Sequence, residues 1–168
     1  MVRPSIELES QAIDFKNEFF ENGENEINGS ELLDKTDDYR LWLENVSKNI
    51  SKDTVNPNWV VTDTFFVIRE NDKKVIGIID FRHELNNFLK DFGHSGYSVR
   101  PTERKKGYAT EMLKKVMEIA KQIGLNEMQL SCKKSNIPSV KTITKNGGEY
   151  IRSFHYDNEE AGIYVIKL

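Results

Sequence analysis

Residues 100–115 read RPTERKKGYATEMLKK, a run in which arginines and lysines crowd around one glycine just ahead of an amphipathic pattern. A glycine at the entrance to a helix lets a ligand come close to the backbone. The first N–H groups of the helix have no intrahelical partner and attract an anion. The chemistry this spacing can do is to hold a phosphate or pyrophosphate, with the small Ala109 keeping the first turn clear. Neither G-x-x-x-x-G-K-[ST] nor G-x-G-x-x-G occurs in the chain, so the grip is not a P-loop or a dinucleotide fingerprint. The single Cys132 sits in an alternating pattern with nothing nearby in sequence to lower its pKa, and reads as a small core residue rather than a nucleophile.

Such a grip works only if a strand ends ahead of the turn and a helix starts after it, and both are predicted. HSGYSVR alternates as a strand would. Beyond Gly107, the residues Ala109, Met112, Leu113, Val116, Ala120 and Ile123 form one helical stripe that Gly124 ends. Upstream, TFFVIREN and KVIGIIDFR flank a turn at Asp72 and Lys73 and read as a hairpin, followed by a loop over residues 83–91. Downstream, NEMQLSC alternates, and Ser135, Asn136 and Pro138 open a helix that stops at Gly147 and Gly148. EYIRSFHY and GIYVIKL, joined by an acidic turn over 157–160, read as a closing hairpin. Ahead of all these lie a short strand over 5–9 and a helix through Phe15, Phe19 and Phe20 that breaks at Asn22 and Gly23. A second helix, capped by Asp34 or Thr36, carries Tyr39, Trp42, Leu43 and Val46. Two helices followed by ββ, β, α, β, α, ββ predict an α/β fold built on one mixed (α+β) sheet.

The chain has 168 residues, 38% of them hydrophobic and 30% charged, a balance that suits one ordered domain spanning 1–168. A net charge of −3 leaves no broad basic face for nucleic acid, so any basic patch is local. One cysteine allows no internal disulfide. Without a secretory apolar region or a run of about 18 apolar residues, the expectation is a cytoplasmic protein with no membrane partner. The charge is uneven: eight carboxylates between Glu18 and Asp38 are interrupted only by Lys35. Such a segment is read first as a solvated face and second as a surface for a cationic ligand.

R-K-K-G-Y-A at 104–109 resembles the Q/R-x-x-G-x-G/A signature of the GCN5-related N-acetyltransferase (GNAT) family, whose turn wraps the pyrophosphate of acetyl-coenzyme A. The likeness extends over nearly the whole chain. GYSVRPTERKKGYATEML resembles the family's fourth strand and third helix, and CKKSNIPSVKTITKNGG its fifth strand and fourth helix. The resemblance implies an acyl-CoA N-acyltransferase fold with two N-terminal helices and a mostly antiparallel sheet splayed between strands 4 and 5. It assigns the pyrophosphate to the amides of Lys105, Lys106, Gly107, Tyr108 and Ala109 with the Arg104 side chain, helped by Thr110. It sets the pantetheine arm against the backbone at Val99, brings Asn136 and Ser139 to the pantetheine or phosphates, and points Lys145 at the ribose phosphate.

Acetyl-CoA would then be the donor and an amine the acceptor, either a small molecule or a peptide or protein amine, by direct attack in a ternary complex. No metal is expected. An alkyl ammonium with pKa near 10.4 must lose a proton before it can attack, and the departing thiolate must gain one. At the position where relatives carry the acidic tyrosine stands Ile143; Tyr97, Tyr108 or Tyr150 are the substitutes. His94 stands where many relatives carry a carboxylate and is the first candidate base, an imidazole being competent near neutral pH; His83 and Glu84 are second. The missing tyrosine also leaves open a non-catalytic acyl-CoA sensor or interaction module. A strand edge leaves room for a homodimer.

Overall fold

The computed structural model describes residues 1–156 and 158–168. Helix α1 (Glu9–Glu21) presents Ala12, Phe15 and Phe19 on one buried face. Helix α2 (Tyr39–Lys48) does the same with Tyr39, Trp42 and Val46, and Asp38 caps it by accepting the Leu41 N–H. The cap is therefore Asp38, where the sequence suggested Asp34 or Thr36. Asp34 instead holds Ser30 and Lys35.

The expected strand over 5–9 is not formed. Residues 6–8 make a 3-10 turn that runs directly into α1, and only Val2 exchanges strand-like hydrogen bonds, with Phe66. The alternation of Ile6 and Leu8 mimics a strand, but Tyr39 draws the Ser5 carbonyl toward α2 through a 2.8 Å hydrogen bond and starts the helix there.

Strands β1 (Thr62–Ile68), β2 (Val75–Arg82) and β3 (Tyr97–Val99) form one antiparallel sheet in that order. Strands β4 (Glu127–Lys133), β5 (Glu149–Tyr156) and β6 (Glu159–Lys167) form a second, in the order β4-β6-β5. Of the acidic turn expected over 157–160, Asp157 lies outside the described residues. Helix α3 (Tyr108–Gln122) links β3 to β4, and α4 (Ile137–Lys145) links β4 to β5.

Side chains alternate across a strand, so β2 serves two cores at once. Ile79 and Phe81 pack with Met112, Leu113 and Val116 of α3 and Ile143 of α4, while Val75 and Ile78 pack with α1 and α2. The helices thus cover opposite faces, and the edge between β3 and β4 is left between them.

Arg100 locks that edge to α1. Its side chain is 1% exposed, and its Nε donates to the Val75 carbonyl while its two Nη atoms reach Glu18 and Asp14 at 2.6 and 2.8 Å. Removing one partner of a buried charge set typically costs about 3–5 kcal/mol. Arg100→Ala is expected to lower the urea midpoint by a corresponding amount, and a midpoint within experimental error of the parent would contradict this anchoring role.

Candidate active site

The two sheets meet at one seam and then part. The His94 N–H donates to the Gln129 carbonyl at 2.7 Å, the Gln129 N–H returns to His94 Nδ1 at 3.0 Å, and Ser131 Oγ donates to the Phe92 carbonyl. Past the isolated bridge of Gly93 to Leu130, no bridge joins β3 to β4 among the described residues. Arg100 and Asp80 donate to the Ile76 and Gly96 carbonyls, so the even positions of β3 face β2. By antiparallel alternation, Tyr97 and Val99 turn their N–H and C=O groups to the open edge. On β4, the bond from Lys134 N–H to the Glu160 carbonyl fixes the even positions toward β6, which leaves Ser131 and Lys133 facing the same opening. The result is a cleft with unspent backbone hydrogen-bonding capacity on the β3 side.

The cleft leads to the N-terminus of α3. Gly107 caps that helix in a left-handed conformation (φ 88°), no side chain caps it, and a Cβ at this position would meet nothing within 4 Å. The first intrahelical bond is from Glu111 N–H to the Gly107 carbonyl, so the preceding N–H groups are free to bind an anion. The basic side chains around the turn are largely engaged by carboxylates. Arg104 grips Glu24 with both Nη atoms at 2.7 and 2.8 Å and donates from Nε to the Val99 carbonyl at 3.1 Å, while Lys106 pairs with Glu103. The arginine expected at the pyrophosphate is thus folded back over the strand edge. Asn146 donates to the Thr110 carbonyl and brings the end of α4, with the exposed Lys145, beside the first turn of α3.

On the face covered by α3 and α4, the Tyr97 hydroxyl lies 2.9 Å from Ser139 Oγ in the first turn of α4. Burial pushes the Tyr97 pKa up to about 12, so the phenol keeps its proton at neutral pH. Asn136 caps α4 by accepting the Ser139 N–H. Ile143 is fully buried in the core, and burial pushes the Cys132 thiol pKa up, which suits a packing residue and not a nucleophile.

On the opposite face, the sequence candidates separate. His94 is buried in the seam, where burial lowers its pKa and its Nδ1 accepts from Gln129. Gln129 thus engages both the backbone N–H and Nδ1 of His94 and ties the ring to the seam. His83 pairs with Asp63, which also holds Arg3, and Glu84 is exposed. A group that the sequence reading passed over occupies this face beside Gly96. Asp80, 1% exposed, accepts the Gly96 N–H and pairs with Arg82 at 2.6 Å; Glu31 lies 3.7 Å from Arg82 with its side chain 9% exposed. Burial first, and then the neighbouring Asp80 carboxylate, push the Glu31 pKa up to about 8, with Arg82 opposing. The signal was present in KVIGIIDFR: a carboxylate in the middle of an otherwise apolar strand, with an arginine two residues on and hence on the same face.

A family model for the acetyltransferase (GNAT) domain matches residues 17–149. The chain belongs to the GNAT acetyltransferase family. A sequence search of curated proteins returns no match. Among solved structures, the chain is similar to a protein from Bordetella pertussis described as a GNAT-family acetyltransferase (TM-score 0.69, 12% identity, 96% of this chain and 91% of that one). It is also similar to a spermidine N-acetyltransferase SpeG chimera from Vibrio cholerae and hSSAT (TM-score 0.60, 16% identity, 93% and 91%). A third is an acetyltransferase from Salmonella typhimurium described with its cofactor acetyl-CoA (TM-score 0.53, 15% identity, 64% and 65%). These likenesses establish the GNAT acyl-CoA N-acyltransferase fold. Among the described residues no helix is long and apolar enough to cross a membrane, and no three His, Cys, Asp or Glu side chains are grouped to hold a metal ion.

Glu31 offers a stability test. Its folded pKa, about 8, lies above the ordinary 4.5, so its contribution to stability is complete below about 4.5 and is lost as the pH rises through about 8. Glu31→Gln is expected to raise the melting temperature at pH 8 by roughly 2–5 °C and to change it little at pH 4.5. Thermal melts at the two pH values check this; a variant less stable than the parent at pH 8 would contradict it.

Proposed function

We propose that the protein transfers the acetyl group of acetyl-CoA to a primary amine by direct attack within a ternary complex. The observation that carries this reading is the unpaired outer edge of β3, facing β4 across a cleft that leads to the uncapped N-terminus of α3 at Gly107.

Acetyl-CoA supplies the thioester when bound. The residues present fit it: the pyrophosphate would sit on the amides of Lys105, Lys106, Gly107, Tyr108 and Ala109, with Thr110 nearby. The pantetheine amides would hydrogen-bond the edge of β3 as an added strand. Val99 offers its N–H directly and its carbonyl once Arg104 Nε yields it, which frees that arginine toward the phosphates. Lys145, beside the first turn of α3, would meet the ribose phosphate. An edge N–H of β3 would also stabilise the oxyanion that develops at the thioester carbonyl.

Tyr97 is the acid that this site favours. It rises from the opposite wall to the one that carries the family's usual tyrosine, and its hydroxyl meets Ser139 in the first turn of α4. A phenol with a pKa near 12 stays protonated at pH 7, and because the thiol's ordinary pKa near 8.5 is lower, it can protonate the departing sulfur only as it recovers a proton from the nitrogen. The buried Ile143 favours the reading as a non-catalytic acyl-CoA sensor, and Tyr97 answers it.

Two variants test the account. Gly107→Glu is expected to abolish the thermal stabilisation by millimolar acetyl-CoA, because a carboxylate is placed among the phosphate-binding amides in a backbone conformation that disfavours any side chain. Tyr97→Phe is expected to lower kcat for CoA release on the order of 100-fold and to leave acetyl-CoA affinity within a few-fold. Stabilisation by acetyl-CoA without release of CoA against a broad amine panel would support the sensor instead.

A further inference from the structure

Most carboxylates of the acidic N-terminal segment are already used structurally. Glu18 binds Arg100 and Thr102, Glu24 binds Arg104, Asp34 binds Ser30 and Lys35, Asp37 binds Lys16, and Asp38 caps α2. Glu31 differs. It sits on a loop held in place from two sides: Trp42 Nε1 donates to the Ser30 and Glu31 carbonyls, and a Cβ on Gly29 would run into the Gly96 carbonyl, so the loop is pressed onto β3. Glu31 and Leu32 both take left-handed backbone conformations (φ 49° and 69°), which cost non-glycine residues on the order of 1 kcal/mol each and persist only where surroundings impose them.

The groups facing Glu31 are Asp80 and Arg82 from β2, Asn49 from the end of α2, which donates to it at 3.2 Å, and the indole of Trp59. Two buried side-chain polar atoms near Asp80, Arg82 Nε and Thr64 Oγ1, lack a partner among the described residues. Arg82 Nε is on the residue that Asp80 pairs with. The Trp59 indole, turned to Glu31, lies 5.9 Å from the Arg82 guanidinium. Thr64 Oγ1, on a residue 2% exposed, projects from the position directly opposite Asp80 on β1. Of these two, the Thr64 hydroxyl can accept a hydrogen bond from an amine, whereas Arg82 Nε only donates. From Trp59 a string of aromatic rings leads outward: Phe88 at 6.3 Å, then Phe92 at 5.4 Å, then Tyr156 at 5.1 Å, with Phe88 64% exposed.

We propose that the Glu31–Asp80 carboxyl pair is the acceptor-amine site, that Glu31 takes the proton of the incoming ammonium, and that the acceptor is a primary amine carried on an aromatic or similarly sized apolar body lying along Trp59 and Phe88. The inference rests on the transferase reading above. In it, the ammonium gives one proton to Glu31 Oε, and the freed lone pair attacks the thioester carbon, forming the C–N bond as the C–S bond breaks. The sulfur takes a proton from the Tyr97 hydroxyl, which recovers one from the nitrogen, and Glu31 returns its proton to solvent. Because Asp80 and Arg82 already pair, the site binds one cationic head rather than several.

The test uses protein labelled with 13C at glutamate carboxyls and the probes 2-phenylethylamine and spermidine. Wild type is expected to show one carboxyl titrating near pH 8 that is missing in Glu31→Gln. Addition of 2-phenylethylamine should move that midpoint down by a unit or more, at concentrations about tenfold lower than spermidine requires. In turnover, kcat/KM for 2-phenylethylamine should climb with pH to about 8 and level off. Glu31→Gln should lose that limb and at least 100-fold of the rate while binding acetyl-CoA as wild type does. An amine-insensitive Glu31, or an unchanged pH limb in Glu31→Gln, overturns the base assignment, and a preference for spermidine overturns the acceptor class. Failure of acetyl-CoA to bind at all overturns the transferase reading, while the carboxyl titration still decides the amine site.

Discussion

Everything at this site depends on where two strands stop pairing. The seam of His94 with Gln129 holds β3 and β4 together at one point, and beyond it the strands diverge, leaving the Tyr97 backbone groups and the Val99 N–H without partners among the described residues, while the Val99 carbonyl takes Arg104 Nε. An unpaired strand edge between two packed faces would be a liability without a ligand to complete it, since buried backbone groups are otherwise satisfied. The fold uses His94 in this seam, where Gln129 holds both its backbone N–H and its Nδ1.

The parted edge also divides the chemistry between two faces. The side covered by α3 and α4 carries the basic turn before α3 and the Tyr97 hydroxyl, and the side toward α1 and α2 carries Glu31, Asp80 and Arg82. Donor and acceptor can then approach the same opening from opposite directions. The Arg100 and Arg104 ion pairs tie both sides to α1 and the loop after it, so the acidic segment braces the basic turn instead of standing apart from it. A mildly acidic chain can in this way offer an anion a place: backbone N–H groups at the start of α3 supply positive potential, and the carboxylates neutralise the surplus cations.

The elements with strong periodicity were legible in the sequence. Helix α3 followed from a stripe at helical spacing, the β1–β2 hairpin from its density of β-branched and aromatic residues, and the order of elements with the R-K-K-G-Y-A turn indicated the GNAT family, which the family match bears out. What was not legible depends on contacts distant in sequence. The strand expected over 5–9 gave way to a helical turn because Tyr39, far along the chain, takes the Ser5 carbonyl. Arg104 could not be seen to turn back on Glu24, 80 residues away, nor Glu31 to meet Asp80, because local pattern carries no information about which loop folds over which strand. Asp80 alone announced itself, as a charge where an apolar residue belonged.

The central claim is that the open edge of β3 and the start of α3 form one continuous surface for acetyl-CoA. Residue-resolved amide hydrogen exchange tests it most directly. Saturating acetyl-CoA is predicted to slow exchange at the edge-facing amides of Tyr97 or Val99 together with those of Tyr108, Ala109 and Thr110, and to leave Ser98, already turned to β2, unchanged. Binding that protected none of these amides, or that protected the helix start without the strand edge, would contradict the account.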